Sequence, residues 1–528
     1  MAQPIASGFV LGFGDRVDAM IEISLLEHWR NVLIHGAAWN APLYFYPHAD
    51  VLGYNDGYLL SGLFYTAWRI IADPFLADTL TAATWKTIGF FASYVLVARV
   101  LRWWRGTGIL VAVLFTIANG MGVQAVHAQL QTVALVPVTF ALAIAMARAS
   151  QRGETARASG LAVTLALLIA AWLITAYYMA WFAIWFGCLF VACWLWSRRY
   201  AGIEGVIEVV RGHLVPFTVG AIGFAIAAIP FLSVYLPKAR ETGEHHYAAT
   251  VDYLVTPLID MANVGTGNLV WGWMWPALTP SDPGRLGGEH VTGFPLLLFA
   301  LTVLAAWRVL RRSDSFPPML RTYTLAVVIG WALTLQLWIF SPWGVVFHLV
   351  PGASGLRVVL RFQLFLILPV LLLVAAVWRD RLSALIAARP WRGGLIVFVL
   401  VAEQINLEPA AAALDRREQR AALWPIPVPP AVCRSFYAVA TRIGEPIFRS
   451  VEKHDQLAHN VDAMFLAERW RVPTVNGYAT FVPQDWDFAA PLAGDYERRV
   501  LLYARIHDLH GLCRLNVRDA RAWTMIVP

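Results

Sequence analysis

Long apolar runs recur along this chain, each close to the roughly 20 residues that a helix needs to cross a bilayer. They fall at about 79–101, 107–126, 129–148, 160–176, 177–196, 213–236, 293–310, 320–340, 358–378 and 389–404. The stretch 160–196 is too long for one crossing, and polar side chains at Thr175–Tyr178 divide it in two. The expected fold is mainly α: a polytopic transmembrane helical bundle. Composition agrees. Hydrophobic residues make up 59% and charged residues 14%, against roughly 45–50% and 25% in a soluble domain. The 24 Trp, 28 Phe and 17 Tyr suit a chain that meets lipid and interface along much of its length.

Charge sets the orientation. The net charge of +7 is spread over short loops, with no basic stripe interleaved with exposed aromatics, which argues against nucleic acid as a partner. One set of connections carries Arg102 and Arg105, Arg152 and Arg157, Arg198, Arg199 and Arg211, Arg311, Arg312 and Arg321, and Arg379, Arg381, Arg389 and Arg392. The alternate connections carry almost none, so the positive-inside rule places the first set in the cytoplasm. The outer side then receives the segment before residue 79, the loop 237–292 and everything after Leu407. For 14–78 to lie wholly outside, 57–72 must not span, and its amphipathic text fits an interfacial or re-entrant helix. GDRVDAMIEISLLEHWRNVLIHG likewise reads as an interfacial helix. Its apolar face would carry Met20, Ile21, Ile23, Leu25 and Leu26, with Glu22, Glu27 and Arg30 exposed. Residues 1–406 thus form a membrane domain and 407–528 a small soluble α/β domain. In the latter, EPIFRSV and AWTMIVP read as strands and YERRVLLYARIHDLH as a helix. Cys433 and Cys513 bracket this region and are able to pair in an oxidising compartment, whereas Cys188 and Cys193 are packing residues.

Several polar groups stand out between the apolar runs. Asp15, Asp18, Glu22, Glu27 and His28 form an acidic cluster that is either a solvated loop or the source of a general base for an acceptor hydroxyl or amine. Asn55–Asp56 before Gly57 is either turn chemistry or a substrate-contacting loop. His127 and Gln129 sit at an outer connection, as an interhelical hydrogen-bond cluster or the lining of a polar cavity. Arg357 and Arg361, spaced i, i+4 at the outer start of a run, place two guanidiniums on one helix face and suit a phosphate. Snorkelling to headgroups is the other reading, but it breaks the positive-inside pattern on that side. Glu289–His290 closes the long outer loop. GEHH at its start has too few ligands for a metal site, and a divalent metal is unsupported. No P-loop, Rossmann fingerprint or GxSxG elbow is present, so neither a nucleotide cofactor nor a serine nucleophile is expected.

Taken together, GDRVDAMIEISLLEHW, WNAPLYFYPHADVLGYNDGYLLSGLFY, HAQLQ, LITAYYMAWF, PGASGLRVVLRF and TVNGYATFVPQDW resemble the C-type (GT-C) superfamily of membrane glycosyltransferases, in an uncharacterised bacterial branch. The resemblance implies an active site at the outer face of the bacterial cytoplasmic membrane, a periplasmic C-terminal domain and a polyprenyl-phosphate-linked sugar as donor. It further implies an inverting transfer with Asp15 or Asp18 as base and Arg357 or Arg361 on the donor phosphate. Glu27, His28, Asp56, His127, Gln129 and Glu289 are the remaining candidates for substrate contact. Two departures stand. The superfamily places a complete membrane helix before its first acidic residue, so a further helix upstream of this sequence is expected. No WWDYG motif is present, which argues against transfer to a peptide sequon and weakens a metal requirement. The rival readings are a non-catalytic protein that binds or transports lipid-linked glycan, and an assembly subunit recruiting a partner through 407–528.

Overall fold

The computed structural model describes residues 2–198, 202–243, 245–279, 283–286, 288–311, 315–407, 414–440, 458–491, 493–519 and 522–527. Arg199, Glu244, Arg312 and the strand expected in EPIFRSV lie outside them.

Helix α1 (Asp18–His35) and the ten-residue α2 (Leu59–Trp68) precede five long apolar helices. These are α3 (Pro74–Val100), α4 (Arg105–Val126), α5 (Ala128–Gln151), α6 (Thr155–Thr175) and α7 (Tyr177–Arg198). There follow α8 (Gly202–Ala227), α9 (Ile229–Thr242), α10 (Leu296–Arg311), α11 (Pro318–Ala332), α12 (Val359–Ala388) and α13 (Pro390–Ala402). Among the described residues six helices, α3 to α7 and α12, are long and apolar enough to cross a membrane; a seventh crossing results if α8 and α9 count as one. The division expected within 160–196 falls at Ala176, whose extended backbone separates α6 from α7.

Four of the expected runs differ from plain crossings. The 213–236 run is bent by 55° between α8 and α9, where Pro230 lies in the first turn of α9 and has no N–H to continue the ladder. The 293–310, 320–340 and 389–404 runs form helices of 16, 15 and 13 residues, below the length of a full crossing. Other backbone contacts take the missing turns. Gly293 and Phe294 donate to the carbonyls of Asn263 and Met261, and α10 starts only at Leu296. After Ala332 the chain pairs with Val255 through the Thr334 carbonyl and the Gln336 N–H. At Ala402 α13 gives way to Glu403, whose buried carboxylate accepts from the N–H groups of Leu297 and Leu298 and from Trp271 Nε1. An anion at the N-terminus of α10 answers both its unpaired donors and its dipole.

The C-terminal part carries α14 (Ala458–Trp470), α15 (Tyr496–Ile506) and a three-stranded sheet of β1 (Ser435–Ala438), β2 (Leu512–Leu515) and β3 (Trp523–Val527). β1 runs parallel to β2, and β3 antiparallel to it. The expected helix and last strand are thus present. Alternation along β1 sends Phe436 toward Trp470 of α14 and Tyr437 toward Tyr496 of α15, so the sheet is covered on both faces. Cys433 and Cys513 are disulfide-bonded, closing an 80-residue separation beside β1 and β2.

This part packs directly on α1, with one apolar core running from Met20 and Ile23 to Val461 and Phe465. The chain at 43–46 pairs with 474–476, the segment that itself bridges to Phe436 of β1: Phe45 N–H donates to Asn476 O, Tyr46 N–H to Thr474 O, and Thr474 N–H to Leu43 O. Consequently α1 is not the one-sided interfacial helix expected. Glu22 and Glu27 are buried, because α14 covers one flank and α2 and α3 the others.

The ends of the long helices separate by charge. At one end Arg148 donates to the Val100 carbonyl and Arg379 stacks 4.5 Å over Trp103. At the other end lie α1, the α4–α5 junction, Glu289 and the start of α12.

Candidate functional site

At that second end, four side chains from four segments meet in a line. Asp18 stands in the first turn of α1, His127 at the α4–α5 junction, Glu289 in a short turn before α10, and Arg361 in the first turn of α12. His127 Nδ1 lies 3.2 Å from Asp18 Oδ2 and its Nε2 3.2 Å from Glu289 Oε1. Arg361 grips Glu289 with two bonds, Nε to Oε2 at 3.0 Å and Nη2 to Oε1. Charge therefore alternates along the row, and exposure falls along it: Asp18 is 38% exposed and Arg361 8%. Burial and the nearby guanidinium push His127 toward its neutral form, but Asp18 and Glu289 outweigh them and raise its pKa. Burial works against the Glu289 carboxylate, yet Arg361 and His127 hold it well below the usual range. The Glu289 anion is thus favoured, its neighbours favour the charged form of His127, and Asp18 is the open terminus.

The two aspartates offered by the sequence separate here. Asp15 Oδ1 accepts from the N–H of Val17 at 2.8 Å and of Asp18 at 2.7 Å, so it closes the turn that starts α1. Asp18, freed of that task, points its carboxylate to His127. One turn further, Glu22 is buried near Asp78. Burial first, then Asp78 and Asp18, push Glu22 well above the ordinary range. The Tyr58 hydroxyl donates to Gln129 Oε1 at 3.0 Å and senses the charges of Glu22, Asp56, Asp18 and Arg361. Asp56 lies at the edge of the row: its Oδ1 accepts the Tyr177 N–H at 2.8 Å, an anion at the N-terminus of α7, and Arg361 acts on it electrostatically.

The arginine pair is arranged otherwise than on one helix face. Val359 starts the helical turn, and Arg357 precedes it on a bend, because the Tyr178 hydroxyl accepts from the N–H groups of Arg357 and Val358 and holds the chain out of the helix. Arg361 lies 5.2 Å over the Tyr178 ring and is committed to Glu289. Arg357 is exposed, 5.3 Å over the Tyr253 ring, with no carboxylate partner among the described residues. Tyr478, from TVNGYATF, feels the charges of Asp18, Arg357 and Asp15.

Glu27 and His28 are not in this group. Glu27 accepts from Tyr65 Oη at 2.7 Å and pairs with Arg69; His28 Nε2 lies 2.9 Å from the Trp39 carbonyl and its Nδ1 3.5 Å from Glu468. Both fasten α1 to α2 and α14. Of the GEHH stretch, His245 stacks on Phe481 instead of facing a ligand set. Glu22's burial, Asp78 and Tyr58 escaped the sequence reading. A polar residue opening a long apolar run, as Asp78 does, was the available signal. No protein-family model and no curated protein sequence matches this chain.

Proposed function

We propose that the chain is a membrane glycosyltransferase that moves a sugar from a polyprenyl-phosphate carrier to an acceptor at the membrane face where Asp18 lies. One observation carries this: an accessible carboxylate, Asp18, is oriented by the His127 ring, and its charge and that of the exposed Arg357, which has no carboxylate partner among the described residues, both reach Tyr478. Asp18 takes the proton of the acceptor hydroxyl or amine as the acceptor atom bonds to the anomeric carbon. The bond from that carbon to the phosphate oxygen breaks, and the electron pair leaves on the phosphate, next to Arg357. Attack from the side opposite the leaving group inverts the anomeric centre. His127 and Glu289 keep the carboxylate in place, and Arg361 anchors them. The Cys433–Cys513 disulfide and the arginine-rich opposite helix ends fit a site on the outer, oxidising side of a bacterial cytoplasmic membrane.

The test is release of polyprenyl phosphate from a labelled donor by protein in lipid nanodiscs, with membrane extract as acceptor. Wild type should turn over and Asp18→Asn should not. Full turnover by both Asp15→Asn and Asp18→Asn would sink the assignment. Donor binding by the wild type with no release would instead support a carrier or binding protein.

A further inference from the structure

Away from that row, three donor atoms converge where the N-terminal outer loop meets the C-terminal part. His48 lies in the turn after Phe45, its N–H bonded to the Phe45 carbonyl. Asp485 lies in the turn between Pro483 and Trp486, and His507 directly follows the last residue of α15. His48 Nε2 is 3.0 Å from Asp485 Oδ1, and His507 Nε2 is 2.6 Å from Asp485 Oδ2. One ligand atom from each residue lies within 4.8 Å of the others. We propose that His48, Asp485 and His507 form a divalent transition-metal site of the zinc type, clamping the 36–58 loop to the C-terminal domain.

Four features favour a metal over a plain hydrogen-bonded cluster. Both imidazoles aim the same nitrogen, Nε2, at one carboxylate, as two ligands of one ion do. His48 Nε2 is buried and makes no well-aligned hydrogen bond despite its 3.0 Å approach to Asp485, so its lone pair has no other use. Two imidazoles and a carboxylate suit zinc, whose bonds of about 2.0–2.2 Å fit among these donors after small side-chain rotations. The His48 and His507 rings lie with centroids 5.4 Å apart and steeply inclined to each other, so both can present a nitrogen to one ion. Lys238, whose charge reaches His48, is compensated by Glu241 at 2.9 Å. Asp485 and His507 are partly exposed, which leaves the fourth position to solvent.

The ligands also sit on anchored backbone. Tyr503 donates to the Tyr46 carbonyl at 3.1 Å, and its ring packs 4.2 Å from His507. Phe45 packs against Trp486. A bound ion would bridge two segments that already touch, and so raise the stability of their contact without rearranging it. No spacing motif announces such a site, because its ligands come from opposite ends of the chain.

The experiment titrates ZnCl2 into chelator-treated full-length protein in nanodiscs, following uptake by calorimetry and metal analysis, with Co2+ absorption as the ligand-field probe. Wild type should take up one ion per chain, show tetrahedral-type Co2+ bands, and gain several degrees in its thermal midpoint. His48→Ala/His507→Ala should weaken binding at least about 100-fold. His510→Ala, an exposed histidine beside Asp508, should change nothing. No stoichiometric uptake by wild type, or equal uptake by the double variant, overturns the proposal. Should the double variant fail to fold, histidine modification of wild type decides: Zn2+ must protect His48 and His507, and equal labelling with and without Zn2+ rejects the site.

Discussion

Helix α1 carries two polar clusters whose centres are about 14 Å apart along its axis, and they are built to opposite ends. Near its C-terminal half, Glu27, His28, Asn31 and Glu468 are almost wholly buried and are tied to neighbouring segments. Asn31 Nδ2 bonds Glu468 Oε2 at 2.8 Å, and the Leu43 N–H takes the other oxygen at 2.8 Å. In its first turn, Asp18 pairs with His127 and remains 38% exposed. The same residue types are therefore held fast in one place and left accessible in the other. What separates them is how far neighbouring elements bury the carboxylate: α1 packs against α2 and α14 around Glu27 and Glu468, whereas Asp18 keeps access to solvent.

Breaking each cluster should show this difference directly. Asp18→Asn removes the proposed base but keeps shape and burial, so donor turnover should fall by roughly 10²–10⁴-fold while the unfolding midpoint stays put. A variant that loses its fold together with its turnover would place Asp18 in the holding class. Glu27→Ala should do the reverse. It strands the Arg69 guanidinium, and loss of one partner of a buried pair costs about 3–5 kcal/mol. Turnover per folded molecule should be unchanged; a selective loss of turnover would move Glu27 into the site. Cys433→Ser/Cys513→Ser tests the frame behind both clusters, with an expected loss of roughly 2–5 kcal/mol for a loop of this length, read from unfolding in detergent.

How much of this was visible in the sequence differs between the clusters too. The break at Ala176 was legible because Thr175 and two tyrosines interrupt an aliphatic run. His127, Glu289 and Arg361 were each legible as polar groups at the edges of apolar text. That they join Asp18 in one row was not, since the row needs the ends of α4 and α12 and a turn before α10 to meet. The burial of Glu22 and Glu27 was hidden for a related reason: α1 reads as one-sided until α14, more than 400 residues later, supplies its second apolar face. Three runs that looked like crossings are short helices, because local apolarity does not reveal the backbone pairings of Gly293, Gln336 and Glu403 that cut them off.

The row should also reveal itself through pH. The folded pKa of His127 is raised, so its contribution to stability is full below the ordinary value of 6.5 and is lost as pH rises through the raised value. Glu289 has the opposite sign: its contribution is present above 4.5 and fades as pH falls through its lowered value. Wild type should therefore lose thermal stability as pH rises above about 6.5, and His127→Gln should flatten that decline. Parallel midpoint curves for the two proteins from about pH 6 to 9 would mean that its neighbours do not favour the charged form of His127.

The smallest expected effect separates the two aspartates that open α1. Asp15 accepts two backbone N–H bonds and lies within electrostatic reach of the same Tyr478 as Asp18. Asparagine keeps a side-chain oxygen able to accept those bonds, whereas alanine does not. Asp15→Ala should therefore cost about 0.5–2 kcal/mol, the usual worth of a helix N-terminal cap, and Asp15→Asn less. Turnover should follow the small loss of order in the first turn, staying within about tenfold of wild type, because the proposed base, Asp18, lies three residues beyond Asp15 and faces His127 instead. If Asp15→Asn instead abolished donor turnover with the helix intact, the two residues would exchange parts: Asp15 would be the base, and the Asp18–His127 contact would be the element that positions it.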